Sequence, residues 1–211
     1  MQKSTILFLL TSLLLVSCAS NPVVKDYVSK TPEKQSFDVP YFANPETDYV
    51  YKANISVYGN ELSGIFIAKK MNATTHRVVF TTEFGNKLMD FEISETDFKV
   101  NSIVSELDRK ILINTLKNDF RLLLRHRFAV QEQFENAENR VYKSVEGNRF
   151  NYLFVSKSDE KVLKIVQSSK RKEKINLSFT SENNIFAEQI VIQHHNIDLR
   201  IEFNYFKPQS N

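Results

Sequence analysis

The sequence contains no tryptophan, only four glycines and a single cysteine among its 211 residues. So few glycines argue against a glycine-rich phosphate-binding loop, which needs several residues without a side chain. The single cysteine excludes an internal disulfide bond. The 28 basic residues nearly balance the 25 acidic ones, and the net charge of +3 gives no support for nucleic-acid binding.

Catalytic and metal-binding motifs are also missing from the sequence. Its four histidines do not stand at metal-ligand spacing from Cys, Asp or Glu; they are His76, His126, His194 and His195. The last two are adjacent, and we interpret them as exposed turn residues. Asp90 and Glu92 would share one face of a strand, where a solvated pair is a better explanation than an acid–base site. We therefore predict a protein that is not an enzyme and has no metal or cofactor.

The N-terminus has the layout of a secretory signal. Lys3 precedes an apolar run over residues 6–16, which is shorter than the roughly 20 residues of a membrane-spanning helix. The run ends in Ser17-Cys18, and residues 15–18 resemble the lipobox of bacterial lipoproteins. The resemblance implies cleavage of a signal peptide over residues 1–17 and lipidation of Cys18. The alternative is an ordinary signal peptide with an incidental cysteine.

The residues after Cys18 suggest where the protein is sorted. Ala19 and Ser20 follow the cysteine, and the first acidic residue is Asp26. By resemblance to bacterial sorting rules, this predicts a lipid anchor in the outer membrane that faces the periplasm. Because residues 21–45 are polar, contain four prolines and lack periodicity, we predict a lipidated N-terminus and flexible tether over 18–48. The folded domain is then expected over 49–207.

Short segments with strand-like alternation, separated by turn residues, follow along most of the remaining chain. These are 52–58, 62–71, 76–82, 87–93, 98–102, 140–145, 149–156, 161–168, 174–180, 185–194 and 197–207. Their spacing is typical of antiparallel meanders.

One segment has a helical period instead. Leu112, Leu116, Phe120 and Leu123 share one face of residues 109–127, which contain no Gly or Pro, and Asp108 is the expected N-cap. A sheet of ten or eleven strands must curl. The predicted fold is therefore α+β and mostly β: a strongly curved antiparallel sheet, or half-open β-barrel, whose concave face is covered by one long helix.

Residues 62–70 and 77–92 resemble the LolA/LolB family of lipoprotein carriers and receptors. Gly64 lies near the start of the first strand, and Phe84-Gly85 occupies the position of the family's Leu-Gly turn. Residues 189–192 and 199–203 are similar to the family's closing strands. The resemblance extends loosely over residues 50–206, although the family's tryptophan-bearing stretch is missing. It implies a half-open barrel with a helical lid and an apolar cavity for acyl chains.

The resemblance also implies functional residues. In the receptor, an apolar residue protrudes from this turn and helps cargo enter the membrane, which makes Phe84 the candidate membrane-insertion residue. The candidate lining of the acyl cavity is Phe66, Phe80, Phe91, Leu116, Phe120, Leu123 and Phe203, each of which could instead be ordinary core. Expected partners are the membrane, lipid or lipoprotein acyl chains and a periplasmic carrier protein. The alternative function is a structural or interaction lipoprotein of an envelope complex, without lipid transfer.

Overall fold

The computed structural model describes residues 22–170 and 172–206, so Cys18 and the signal segment lie outside the described residues. The part of the chain it describes begins with a 3-10 turn, Pro22–Val24, and contains one α-helix, α1, Lys110–Leu124. The strands are β1 Val28–Lys30, β2 Ser36–Asp38, β3 Asp48–Val57, β4 Asn60–Lys70, β5 His76–Thr81, β6 Lys87–Ile93, β7 Phe98–Ile103, β8 Arg127–Ala129, β9 Glu132–Glu135, β10 Asn139–Glu146, β11 Arg149–Ser156, β12 Val162–Ser169, β13 Lys172–Thr180, β14 Gln189–His194 and β15 Leu199–Tyr205.

Thirteen of these strands form one curved antiparallel sheet. Its order is β1-β9-β10-β11-β12-β13-β14-β15-β3-β4-β5-β6-β7, and β1 and β7 are not paired with each other, so the barrel stays open. The other two described strands, β2 and β8, pair with each other through Phe37 and Phe128. The predicted fold class, a half-open β-barrel with one long helix, is confirmed.

The core lies between α1 and the concave face of the sheet. On β3 the residues Tyr49, Tyr51, Ala53 and Ile55 are buried while their neighbours are more exposed, which is the period of two expected for a strand with one wet face. Burying a large apolar side chain of this kind contributes about 1.5–3 kcal/mol. No helix among the described residues has the length and apolar character needed to span a bilayer.

The helix is shorter than its sequence pattern predicts. Arg109 rather than Asp108 holds the N-cap position, and it makes no capping hydrogen bond through its side chain. Asp108 belongs to the preceding turn, where its amide donates to Val104 O at 3.1 Å. At the other end, Arg127 begins β8 and pairs with Asp38 at 2.7 Å, so the chain leaves the helix at Leu124.

The predicted tether is wrong for the described residues before β3. Val23 and Val24 are buried against an apolar cluster on the outer face of the sheet, and β1 pairs with β9. Further along, Tyr41 and Phe42 are in the main core. The sequence does not reveal this packing. Each short element holds only one or two apolar residues, which are too few to show a period.

Asp90 and Glu92 share the outer face of β6, as predicted, but Asp90 is covered by its partners there. Its side chain is buried on β6, where the carboxylate accepts hydrogen bonds from Arg77 at 2.7 Å and Lys87 at 2.8 Å. The Arg77 guanidinium holds the pKa of the Asp90 carboxyl well below its usual range. Glu92 remains partly exposed beside Lys99. The Asn101 side-chain amide donates to both carboxylates, to Asp90 Oδ1 at 3.3 Å and to Glu92 Oε1 at 2.9 Å, so the two belong to one structural network of ion pairs and hydrogen bonds.

Candidate functional site

An apolar groove of about 660 Å³ opens beside the first half of α1. Its walls are the start of the helix, the β3–β4 hairpin and the loop that precedes β15. The residues that line it are Val57, Tyr58, Asn60, Leu62, Glu106, Leu107, Arg109, Lys110, Ile111, Leu112, Thr115, Ile197 and Leu199. The volume falls in the range of about 300–1,000 Å³ that is typical of small-molecule sites.

Two large apolar side chains at this groove face solvent. Ile111, in the first turn of α1, is 82% exposed, and Tyr58, in the β3–β4 turn, is 65% exposed. Arg109 and Lys110 lie beside them at the helix start, and with Glu106 they give the same rim two cations and one carboxylate. An apolar surface bordered by cations can take a ligand with an apolar chain and an anionic head.

Phe84 lies at the tip of the β5–β6 turn and is 94% exposed. The Thr82 amide donates to Asn86 O at 2.8 Å, and the Gly85 amide donates to Thr82 O at 3.0 Å. Gly85 has a φ of +84°, a conformation in which a side chain would be strained. The turn therefore holds the Phe84 ring away from the sheet. After this turn the chain enters β6, where Leu88 O accepts a hydrogen bond from the Val104 amide, on the segment that leads to α1.

The seven residues predicted to line an acyl cavity lie together in the main core. Phe66, for example, packs against Phe120 and Phe203 with ring centroids 5.4 and 4.5 Å apart. The full set is Phe66, Phe80, Phe91, Leu116, Phe120, Leu123 and Phe203, and each is at most 2% exposed. The groove is lined by other residues. Contact of the seven with an acyl chain stays a prediction.

A buried polar pair connects α1 to the sheet. His194 Nε2, at the end of β14, lies 2.9 Å from Asp119 Oδ2, in the middle of the helix. Both side chains are buried, so the interpretation of His194 as an exposed turn residue is wrong. Burial raises the pKa of the Asp119 carboxyl, and the hydrogen bond with His194 opposes this only in part. The sequence signal for the pair is an acidic residue directly beside the apolar stripe of a helix.

A second groove, of about 580 Å³, lies at the other end of α1 and is lined mostly by polar and charged residues. Arg121 there donates to Ser94 O at 3.0 Å and to Thr96 O at 3.1 Å, in the turn between β6 and β7. Arg125 pairs with Glu146 at 2.6 Å. These cations are engaged by the protein itself and fix the end of the helix. Among residues 22–170 and 172–206, no three His, Cys, Asp or Glu side chains are placed to hold a metal ion.

No family model and no curated protein matches the chain at the level of sequence. The structure is similar to a LolA superfamily protein from Nitrosomonas europaea, with a TM-score of 0.52 and 11% identity over 80% of this chain and 88% of that one. It also overlaps a domain assigned to outer membrane lipoprotein sorting from Vibrio parahaemolyticus, with a TM-score of 0.44 and 8% identity over 76% of this chain and 83% of that one. The first likeness shows that the chain has a LolA-like fold.

Proposed function

We propose that this protein is a membrane-anchored envelope lipoprotein that binds the acyl chains of lipids or lipoproteins and takes part in delivering lipoproteins to the outer membrane. The observation that carries the proposal is the apolar groove beside α1, in a half-open barrel with a LolA-like fold. The groove has the volume of a ligand site and a lining of aliphatic side chains.

The chemistry of the groove fits an amphiphile. An acyl chain gains about 0.8 kcal/mol for each methylene that it buries, so a groove lined by Val57, Leu62, Leu112 and Leu199 would bind it without directional contacts. At the rim, Arg109 and Lys110 would lie near an anionic head group, and Ile111 would cover the chain.

Phe84 is the residue we propose to enter the membrane. The Phe84 ring is 94% exposed, so it packs little against the domain. Transfer of this exposed aromatic surface from water to the lipid interface would stabilise the membrane-bound protein. In this role the turn would bring the groove close to the bilayer, where a carrier protein delivers its cargo.

Lipidation of Cys18 would supply the anchor. Only three residues separate Cys18 from Pro22, and the next two residues, Val23 and Val24, are packed on the domain. At about 3.3–3.6 Å per extended residue the anchor would lie within roughly 14 Å of Pro22. The segment between the lipid and the domain would therefore be short and would hold the domain at the membrane surface. We propose that this surface is the periplasmic face of the outer membrane.

Binding of a fluorescent fatty-acid probe tests the proposal. We expect the mature chain (residues 18–211) carrying Cys18→Ser to bind the probe, and the added change Leu112→Glu to weaken binding at least tenfold by placing a charge in the groove. Leu163→Glu is the matched control, because Leu163 is 39% exposed on β12, outside the groove, and its variant should bind normally. Absence of probe binding by the parent chain would contradict the proposal.

A role as an interaction lipoprotein of an envelope complex is the second candidate. It is favoured by β7, which ends the sheet and whose residues are largely exposed. Such an edge can pair with a strand of another protein. Crosslinking from Val100 to one envelope protein in cells, together with no probe binding, would support this function instead.

A further inference from the structure

Three exposed apolar side chains lie at one end of the half-open barrel, which we call the groove end. Tyr58 in the β3–β4 turn is 65% exposed, Phe84 in the β5–β6 turn 94% and Ile111 in the first turn of α1 82%. Because β3, β4, β5 and β6 pair antiparallel in this order, the two turns lie at the same end of the sheet. The hydrogen bond from the Val104 amide to Leu88 O ties the segment before α1 to the start of β6, so the helix begins at this end as well.

The opposite end of the sheet, the far end, is the natural comparison. α1 runs for 15 residues, about 22 Å, from the groove end to the β6–β7 turn, where Arg121 donates to Ser94 O. Apolar side chains reach water here too, but each is less exposed: Met71 51%, Ile185 59% and Phe206 45%. The groove at this end is lined mostly by polar and charged residues. Only the groove end therefore combines strongly exposed apolar side chains with the apolar groove.

Tyr58 is an unusual residue for its position in the β3–β4 turn. Its φ is +47° and that of Gly59 is +75°, a pair of values that Asn and Gly adopt readily and that a bulky side chain adopts at a steric cost. The Tyr58 amide donates to Asp198 O at 3.0 Å, and the Asn60 side chain donates to Tyr58 O at 3.3 Å, so the turn is fixed. Because the ring is mostly in water, its packing offsets little of that cost. Folding does not explain a tyrosine here, whereas contact with something outside the domain does.

The charges beside these side chains have both signs. Glu83 precedes Phe84 in its turn, and Glu106 lines the groove together with Arg109 and Lys110. Positive charge is therefore not concentrated at the groove end, and attraction to anionic lipids would contribute little there. Aromatic and large aliphatic side chains partition into the interface of a bilayer without such attraction. A phospholipid bilayer is the partner that fits this combination.

The position of the groove gives the bilayer contact a purpose. Tyr58 and Ile111 are part of the groove lining as well as being exposed, so a ligand that leaves the groove passes beside them. An acyl chain that entered water on leaving would lose the burial of every methylene. If these two side chains touch the bilayer, the chain passes from one apolar surroundings to the other directly.

We propose that Tyr58, Phe84 and Ile111 form one membrane-contact surface, which holds the open side of the groove against a phospholipid bilayer. This inference rests on the proposed acyl-binding function. It adds the β3–β4 turn and the start of α1 to the contact that Phe84 would make alone, and it fixes which end of the barrel faces the membrane.

Tryptophan fluorescence tests the surface, because the chain has no tryptophan of its own. One tryptophan is introduced at a time, at three positions of the groove end and at two of the far end. The variants are Tyr58→Trp, Phe84→Trp, Ile111→Trp, Met71→Trp and Ile185→Trp. All five positions are exposed, so the fold should tolerate each change.

Each variant is held at a membrane in the same way. The mature chain (residues 18–211) contains one cysteine, Cys18, which is coupled to a maleimide-bearing phospholipid in phosphatidylcholine vesicles. The coupling keeps every variant at the vesicle surface, so differences in fluorescence report which end faces the bilayer. Phosphatidylcholine with brominated acyl chains is the quencher.

The three tryptophans of the groove end should enter the bilayer interface. We expect their emission to shift to shorter wavelength by roughly 10 nm and to be quenched at least about twofold, while Met71→Trp and Ile185→Trp show neither change. Equal quenching at all five positions, or stronger quenching at the far end, would overturn the surface. Quenching of Phe84→Trp alone would also overturn it, because the groove would then stay away from the bilayer. So would quenching that requires added anionic phosphatidylglycerol.

Binding of the fluorescent fatty-acid probe separates this inference from the proposed function. Normal probe binding without quenching of Tyr58→Trp and Ile111→Trp would overturn the membrane-contact surface and leave acyl binding intact. Quenching of all three groove-end tryptophans in a protein that binds no probe would overturn acyl binding, while the contact with the bilayer would stand.

Discussion

The two halves of α1 lie in different surroundings. Residues 110–115 are exposed or half-buried and border the apolar groove, whereas Phe120, Leu122, Leu123 and Leu124 are buried in the core. Arg121 also ties the second half to the β6–β7 turn. One helix thus has a fixed end, which contributes to folding, and an open end, which is available to a ligand.

Truncating one apolar side chain in each half should separate these roles most strongly. Phe120→Ala would leave a cavity in the core and should lower the free energy of unfolding by about 3–5 kcal/mol. Ile111→Ala should change it by less than about 0.5 kcal/mol, because the side chain is already exposed. Chemical denaturation measures both values. Equal losses from the two variants would contradict the distinction.

The pH dependence of stability tests the role of Asp90 on β6, the strand that leads into the turn held by Arg121 of α1. The pKa of its carboxyl is lowered in the folded protein, chiefly by Arg77, so its contribution is complete above the unfolded pKa of about 4 and is lost as the pH falls below it. Asp90→Asn should cost about 2 kcal/mol at neutral pH. The difference between variant and parent should shrink below pH ~4 in urea denaturation. A difference in the free energy of unfolding that stays constant with pH would refute this role. Probe binding in the groove should be the same in Asp90→Asn as in the parent.

Phe84→Glu should have the smallest effect on folding and a clear effect on membrane binding. Because Phe84 is 94% exposed, the free energy of unfolding should change by less than about 0.5 kcal/mol. Sedimentation with phospholipid vesicles should fall severalfold for the mature chain (residues 18–211) carrying Cys18→Ser, while probe binding in the groove persists. Met71→Glu, at the exposed β4–β5 turn outside the groove, is the comparison. Unchanged vesicle binding, or normal lipoprotein delivery in cells, would count against insertion by Phe84.

Long regular elements could be predicted from the sequence. The bounds of β6 and β11 agree with the predicted strands 87–93 and 149–156, because alternation over seven or eight residues gives a clear period. The four strands β1, β2, β8 and β9 have only three or four residues each, too few for a period to be detected. The prediction therefore places β1 and β2 in the tether and has no strand over residues 127–135.

The candidate site was less predictable than the fold. Sequence patterns identify Phe66 and Phe203 as apolar and inward-facing, but whether such rings fill a core or line a cavity depends on the packing of distant strands. The Asp119–His194 pair joins residues 75 positions apart, so no local spacing indicates it. Phe84 is a candidate through the resemblance of its turn, Phe84-Gly85, to the Leu-Gly turn of the LolA/LolB family, and its role in membrane insertion stays a prediction.

Photolabelling with a diazirine-bearing fatty acid tests the central claim most directly. The mature chain (residues 18–211) carrying Cys18→Ser is irradiated with the ligand, and the labelled peptides are identified by mass spectrometry. The account predicts labels within residues 57–62, 106–115 and 197–199, which line the groove, and competition by unlabelled palmitate. Labels confined to the outer face of the sheet, or labelling that palmitate does not reduce, would contradict it.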